Sequence, residues 1–227
     1  MQPEYRWKTR YNLVVMLLES QDDLALDSDT LFLAVNILDR YSSKRIIKRR
    51  HRRLLAGVSL LIASKYLNRT DLASSFRAGR WLFSKHELQD AIQMEKTVLQ
   101  TLDYLIGFPS VINSMQIELL DCQQRKILHD LVLYVCELTL FYSEFVARSS
   151  ALLARTAVEI ARSALSGGSQ HQEAVASRSR EQQKLHGCIF RRLTNPPPVL
   201  VSKYTRRKES SMVVIMEIYR RKKLFVD

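Results

Sequence analysis

Four charged residues occupy positions where helical periodicity otherwise places apolar side chains: Arg10, Asp39, Lys65 and Glu95. Lys65, for instance, lies near the end of the most apolar run of the chain, residues 54–66. A charge taken out of water is costly unless it is paired and hydrogen-bonded. Because two of the four are positive and two negative, they could neutralise one another inside a helical bundle, or they could reach the surface and bind a partner. Their spacing leaves both hypotheses open.

The residue patterns that carry catalysis are missing from the sequence. It contains no glycine-rich phosphate loop, no HExxH and no GxSxG, and its five histidines are scattered. The three cysteines are widely spaced and form no CxxC pattern, which is typical of a reducing compartment and argues against structural zinc. We therefore expect a non-enzyme with no cofactor and no metal site.

Composition sets the size of the core and the kind of partner. With 227 residues, 46% hydrophobic and 26% charged, the chain can bury one large core or two modest ones. A net charge of +12 suggests an acidic partner, such as nucleic acid or an acidic protein face, although a merely soluble basic surface would have the same composition. No apolar run is long enough to span a membrane, so no membrane partner is expected, and we predict a nuclear and cytoplasmic location.

Apolar spacing predicts helices throughout the chain. In the first half they run through residues 7–19, 31–38, 54–66 and 88–102, and Ser84 with Glu87 forms a capping box before the last of these. The pattern restarts after Pro109 with helices over residues 127–140 and 149–161. The second of these has alanines at positions 151, 154, 157 and 161, and we expect it to be a buried central helix. Residues 166–187 are polar and are expected to form a loop or a frayed helix, and residues 196–198, all proline, should separate two further helices.

Three stretches of the first half resemble a known family. They are TLFLAVNILDRYSS from Thr30, LLIASKY from Leu60 and MEKTVLQTLDY from Met94. Together they resemble the cyclin box of mitotic, B-type and related cyclins. The resemblance implies an all-α protein of two tandem five-helix cyclin-like folds: an N-terminal cyclin box over residues 1–107 and a second fold over residues 108–227, with a polar insertion near 166–187. The chain begins inside the first helix of the box, so we expect it to lack the helix and degradation signals that usually precede the box.

The resemblance also implies roles for the four charges. The residues that match Arg10 and Asp39 form an internal ion pair that braces the box, whereas those that match Lys65 and Glu95 bind the kinase near its C helix. The implied function is a non-catalytic regulatory subunit that forms a heterodimer with a cyclin-dependent kinase and activates it in cell-cycle control. The alternative is a cyclin-fold transcription factor that binds nucleic acid through its basic surface.

The substrate-docking groove of the resembled family is diverged here. The matching positions are Thr9, Asn12, Leu13, Met16 and Arg53. Asn12 replaces an apolar anchor with an amide that a peptide would have to desolvate, and Arg53 opposes peptides that carry their own arginine. We therefore predict that Arg-x-Leu peptides do not bind. The alternative is that Met16, together with Tyr11, rebuilds an apolar groove of a different shape.

A basic run, KRIIKRRHRR over residues 44–53, leads into the third predicted helix. Its basic patch consists of Lys48, Arg49, Arg50 and Arg52. The run could be a solvated turn, a nuclear-import signal read by an import receptor, or a patch that binds the phosphates of nucleic acid.

Overall fold

The computed structural model describes residues 5–67, 82–84, 87–120, 125–165 and 179–206, apart from the side chain of residue 125. Every regular element in these ranges is a helix, and the ranges contain no strand, which confirms the predicted all-α class. Two compact units divide the chain, Met1–Ser110 and Val111–Asp227. No helix in the described ranges is long and apolar enough to cross a membrane.

The first unit is built around its third helix. Its described α-helices are α1 (Trp7–Asp23), α2 (Ser28–Lys44), α3 (Arg52–Leu67) and α4 (Leu88–Thr101), and a short 3₁₀ helix, Arg49–His51, precedes α3. All ten residues from 55 to 64 of α3 are buried, because α1, α2 and α4 pack around it. The apolar run that dominated the sequence is therefore the central helix of this unit. Thr70 and Asp71, where the sequence is compatible with the start of a short helix, lie outside the described residues.

Glycine is required at one point on α3. A Cβ atom at Gly57 would lie 2.9 Å from Cε1 of the buried Phe83, which is closer than carbon atoms pack. Phe83 therefore rests directly on the helix backbone and holds the segment before α4 against α3. Glu87, just before α4, accepts hydrogen bonds from the backbone N–H of Ser84 at 3.0 Å and from its hydroxyl at 2.8 Å. This is one half of the predicted capping box, and α4 itself begins at Leu88.

The second unit is also built around one helix. Its helices are α5 (Val111–Glu118), α6 (Arg125–Thr139), the single turn α7 (Ser143–Val146), α8 (Ser150–Leu165), α9 (Arg180–Leu193) and α10 (Pro198–Arg206). Helix α8 packs against α5, α6 and α9, as expected of the predicted central helix. Its alanines at 154, 157 and 161 are buried and allow close approach, but Ala151 is exposed because it lies in the first turn, on the outer face.

The polar stretch at 166–187 is only partly as predicted. Residues 166–178 lie outside the described residues, but α9 begins at Arg180, so the end of the stretch is a regular helix and not a loop. The Ser179 hydroxyl caps this helix by accepting a hydrogen bond from the backbone N–H of Gln182. Leu185 supplies a buried apolar contact on the inner face. Helix α9 packs on its unit with few apolar residues, because only a narrow stripe of its surface is buried.

A buried ion pair joins the last described helix to α6. Lys203 Nζ on α10 lies 2.7 Å from Glu137 Oε1 on α6, and both side chains are almost completely shielded from solvent. The rings of Tyr134 and Tyr204 meet edge to face beside it, with centroids 5.0 Å apart. The same burial raises the pKa of the neighbouring Cys136 thiol, which keeps it protonated and unreactive.

Candidate protein-docking site

Lys65 and Glu95 meet at the surface of the first unit. Lys65 stands in the last turn of α3 and Glu95 near the middle of α4, two helices that pack side by side. Lys65 Nζ lies 2.8 Å from Glu95 Oε1 and 2.9 Å from Oε2. The lysine side chain is 47% exposed and the glutamate 19%, so the pair lies at the edge of the core and can be reached from solvent.

Exposed apolar side chains lie along the same two helices as this ion pair. Ile92 lies one turn before Glu95 on α4 and is 61% exposed, and Leu88, one turn further back, is also exposed. Tyr66 and Leu67 continue the exposed apolar surface at the end of α3. Leu88 and Ile92 share the apolar stripe of this helix with Ala91 and Val98, but within α4 only Ala91 and Val98 are buried. Exposed apolar residues around a charged pair are typical of protein–protein interfaces.

Arg10 and Asp39 form the other pair of the four charges. Arg10 on α1 donates two hydrogen bonds to the Asp39 carboxylate on α2, from Nε at 2.7 Å and from Nη2 at 2.8 Å. Arg10 is buried, and its guanidinium also lies over the ring of Trp7 at 5.8 Å. This fork-shaped contact ties the first two helices together from inside. All four charges are thus paired, but only one of the two pairs faces solvent.

The five positions of the predicted docking groove do not form one open surface. Leu13 is only 5% exposed and packs into the core of the unit. Helix α1 turns this side chain inward toward its neighbouring helices, and its part in a peptide groove stays a prediction. Thr9 and Met16 are half-buried, whereas Asn12 and Arg53 are exposed.

The basic patch lies at the other end of α3 from the ion pair. Lys48, Arg49 and Arg50 are exposed, and Arg52, the first residue of α3, is half-buried. Because this part of the run forms a 3₁₀ turn and the start of a helix, it does not present a long extended basic strand.

Some stabilising contacts could not be found from helical spacing. Arg40 donates to the backbone carbonyl of Leu105 at 2.6 Å, and Lys44 donates to that of Thr101 at 3.1 Å. Both cations thus donate to carbonyl groups at and beyond the end of α4, where no backbone N–H of the helix remains to bond them. The acceptors lie more than fifty residues from the donors in sequence, so no local pattern signals them. Within the described ranges, no group of three or more histidine, cysteine or acidic residues could hold a metal ion.

Comparison with known proteins identifies the first unit. Residues 1–107 match the family model described as the N-terminal domain of cyclins. The G1/S-specific cyclin CCN1 of Candida albicans is 35% identical over 118 residues, which are 52% of this chain and 17% of that protein. The G2/mitotic-specific cyclin-B of Emericella nidulans is 34% identical over 117 residues, which are 51% of this chain and 24% of that protein. The chain thus spans about a quarter or less of the length of these two relatives.

Solved structures extend the likeness to the second unit. A viral cyclin from herpesvirus saimiri superposes with a TM-score of 0.70 at 15% identity, covering 83% of this chain and 85% of that chain. A chain of the yeast RNA Pol II CTD kinase CTDK-1 complex superposes with a TM-score of 0.63 at 13% identity, covering 96% of this chain and 78% of that chain. At such identities the likeness concerns the fold alone. Residues 1–107 of this chain thus carry the N-terminal domain of the cyclin family.

Proposed function

We propose that this cyclin is the regulatory, non-catalytic subunit of a cyclin-dependent Ser/Thr protein kinase in cell-cycle control, and that it docks through the surface around Lys65 and Glu95. The observation that carries the proposal is the solvent-facing ion pair among exposed apolar side chains, with Ile92 at its side. Its two residues are those that the cyclin resemblance assigns to kinase binding.

The pair is suited to hold a partner's backbone. A lysine ammonium has three N–H donors, and two of them are directed at the Glu95 carboxylate, which leaves a third for a carbonyl group of the partner. Each Glu95 oxygen keeps a further lone pair that can accept a backbone N–H. Because the ion pair fixes both side chains before binding, little rotamer freedom is lost when the partner docks.

Docking of this kind would activate the kinase by population shift. A surface that binds only the inward position of the kinase C helix would favour the conformation in which the kinase Lys–Glu ion pair forms and the activation loop opens. In this proposal the cyclin supplies contacts and no reacting group. Ile92 would add apolar burial at the centre of the contact, next to the charged hydrogen bonds.

The experiment is a binding measurement with the double variant Lys65→Ala/Glu95→Ala and a cyclin-dependent kinase from the same cells. Each lost charged hydrogen bond is worth about 1.5–3 kcal/mol, so binding should weaken by at least about tenfold. Folding should hardly change, because an exposed ion pair contributes only about 0.2–1 kcal/mol.

The matched control is Arg148→Ala/Glu181→Ala, which removes an exposed ion pair of the second unit, with its charged atoms 2.9 Å apart. This variant should bind the kinase like the unaltered chain. Equal weakening in both variants, or a loss of helicity in the first, would contradict the proposal. Failure to capture any kinase, combined with a salt-sensitive shift of DNA in a gel, would favour the alternative of a nucleic-acid-binding transcription factor.

We also propose that the protein occurs in the nucleus as well as the cytoplasm, with the exposed basic residues Lys48, Arg49 and Arg50 supporting import. A fluorescent fusion of the triple alanine variant should then be depleted from the nucleus, and unchanged nuclear entry would count against it.

A further inference from the structure

The start of α3 carries a dense cationic surface that the kinase-docking proposal does not use. We define it as Arg45, Lys48, Arg49, Arg50 and Arg53, all exposed, together with Ile46. No aspartate or glutamate occurs in the sequence between residues 40 and 70, so neutralising charge can come only from other segments. In the part of the chain that the structure describes, Lys48 and Arg50 form no ion pair with a carboxylate.

The backbone of this surface is held in place. Ile47 is buried and anchors the segment to the core, and the backbone N–H of His51 donates to the carbonyl of Lys48 at 3.0 Å to close the 3₁₀ turn. The Nε of Arg50 donates to the His51 ring at 3.1 Å, which limits the freedom of that guanidinium. A ligand would therefore bind charges that are carried by a preorganised backbone and not by a flexible segment.

Ile46 distinguishes a peptide partner from a nucleic acid. Its side chain is 70% exposed and stands among the cations, next to the inward-facing Ile47. A phosphodiester backbone offers no apolar group to cover it, and the one aromatic ring in residues 45–53, that of His51, is half-buried and accepts a hydrogen bond from Arg50. A peptide with an aliphatic residue between acidic ones would satisfy both features, since the aliphatic side chain covers Ile46 while the acids face the cations.

We propose that the cationic surface at the start of α3 docks an anionic peptide segment of a protein partner, one with carboxylates or phosphates on both sides of an aliphatic residue. The site is distinct from the proposed kinase contact, because Arg52 and Lys65 are thirteen residues apart on one helix, or about 20 Å. Both partners could be bound at the same time. The inference does not rest on kinase binding and can fail or succeed separately.

The test uses the whole chain and fluorescein-labelled peptides read by anisotropy. One peptide has glutamates on both sides of a single leucine, a second has alanine in place of the leucine, and a short DNA duplex serves as competitor. The glutamate–leucine peptide should bind in a salt-sensitive manner. The variant Lys48→Glu/Arg50→Glu should weaken binding of this peptide by at least about tenfold, because each change removes an attraction and adds a repulsion.

Two further variants separate this docking site from bulk charge. Ile46→Ser should weaken binding of the leucine peptide by about threefold or more and leave binding of the alanine peptide unchanged. The control Arg180→Glu/Lys184→Glu makes the same change in net charge on exposed cations of α9 and should bind like the unaltered chain. Equal weakening by the control, no effect of Ile46→Ser, or displacement by duplex DNA at lower concentration than by unlabelled peptide would each overturn the proposal.

Discussion

The buried ion pair between Lys203 and Glu137 allows a sharp prediction about stability. The two charged atoms are 2.7 Å apart, and the side chains are 1% and 0% exposed. Replacing Lys203 by methionine would leave the Glu137 carboxylate buried without the cation that pairs with it among the described residues. Its second oxygen, Oε2, already has no hydrogen-bond partner in the described part of the chain, so nothing there can compensate. Breaking a buried pair in this way costs about 3–5 kcal/mol.

Removing both charges should have a different outcome. In Lys203→Met/Glu137→Leu, apolar side chains of similar length fill the space and no charge remains to be desolvated. Such replacements are often neutral or stabilising by about 1–4 kcal/mol. We therefore expect each single variant to lose several kcal/mol and the double variant to recover most of that loss, with a coupling energy of about 3 kcal/mol or more.

The assay is urea denaturation followed by far-UV circular dichroism and by tryptophan fluorescence. Both tryptophans, Trp7 and Trp81, lie in the first unit, so fluorescence reports that unit and should serve as an internal control. The transition seen only by circular dichroism then belongs to the second unit. Ser202→Ala, a change at the exposed neighbour on the same helix, should leave both transitions unchanged. A loss below about 1 kcal/mol in Lys203→Met, or a double variant as unstable as the two singles combined, would refute the reasoning.

Three other predictions follow from single sites of the first unit. Gly57→Ala should destabilise the unit by up to about 2 kcal/mol, because the cost of displacing the Phe83 ring outweighs a helix-propensity gain of about 1 kcal/mol. A net gain of stability in a melting experiment would show that the ring moves at little cost. Burial raises the pKa of Tyr5 to about 12, so stability that is complete below pH 10 should fall as the pH rises from 10 to about 12. Tyr5→Phe should remove that part of the pH dependence, and identical profiles would contradict it. An Arg-x-Leu peptide should not bind detectably beside Asn12 and Arg53, whereas Arg53→Gln should improve binding; low-micromolar affinity for the unaltered chain would disprove this prediction.

Much of the fold could be predicted because the sequence pattern of a helix depends on residues that are close together in the chain. The central position of α8 was predicted from its repeated alanines, and that of α3 agrees with its long apolar run, since both features depend only on residues within the same helix. The capping contact between Ser84 and Glu87 was likewise visible as a three-residue spacing. The start of α9 was missed because its few buried residues lie among polar ones, and a narrow buried stripe hardly differs in sequence from a loop.

The exposure of one face of α4 could not be predicted from local sequence. Leu88 and Ile92 lie on an apolar stripe typical of a core helix, yet they reach solvent, because the contacts of α4 with α3 and α2 bury only Ala91 and Val98 among its residues. Glu95 on the same face was the local sign that this stripe reaches solvent. Whether an apolar stripe is core or interface depends on which neighbours are present, and periodicity does not contain that information.

The sequence by itself determined that the chain is helical, that its helices carry charges on apolar stripes, and that three of its stretches resemble a cyclin box, because helix periodicity, capping and residue motifs are properties of neighbouring residues. Only the tertiary structure decided which charge meets which. Arg10 contacts Asp39 across 29 positions, Lys65 contacts Glu95 across 30, and Lys203 contacts Glu137 across 66. It also decided that the first and third of these pairs are shielded while the second faces solvent. Such choices depend on how helices cross and on what covers them, which are non-local consequences of packing.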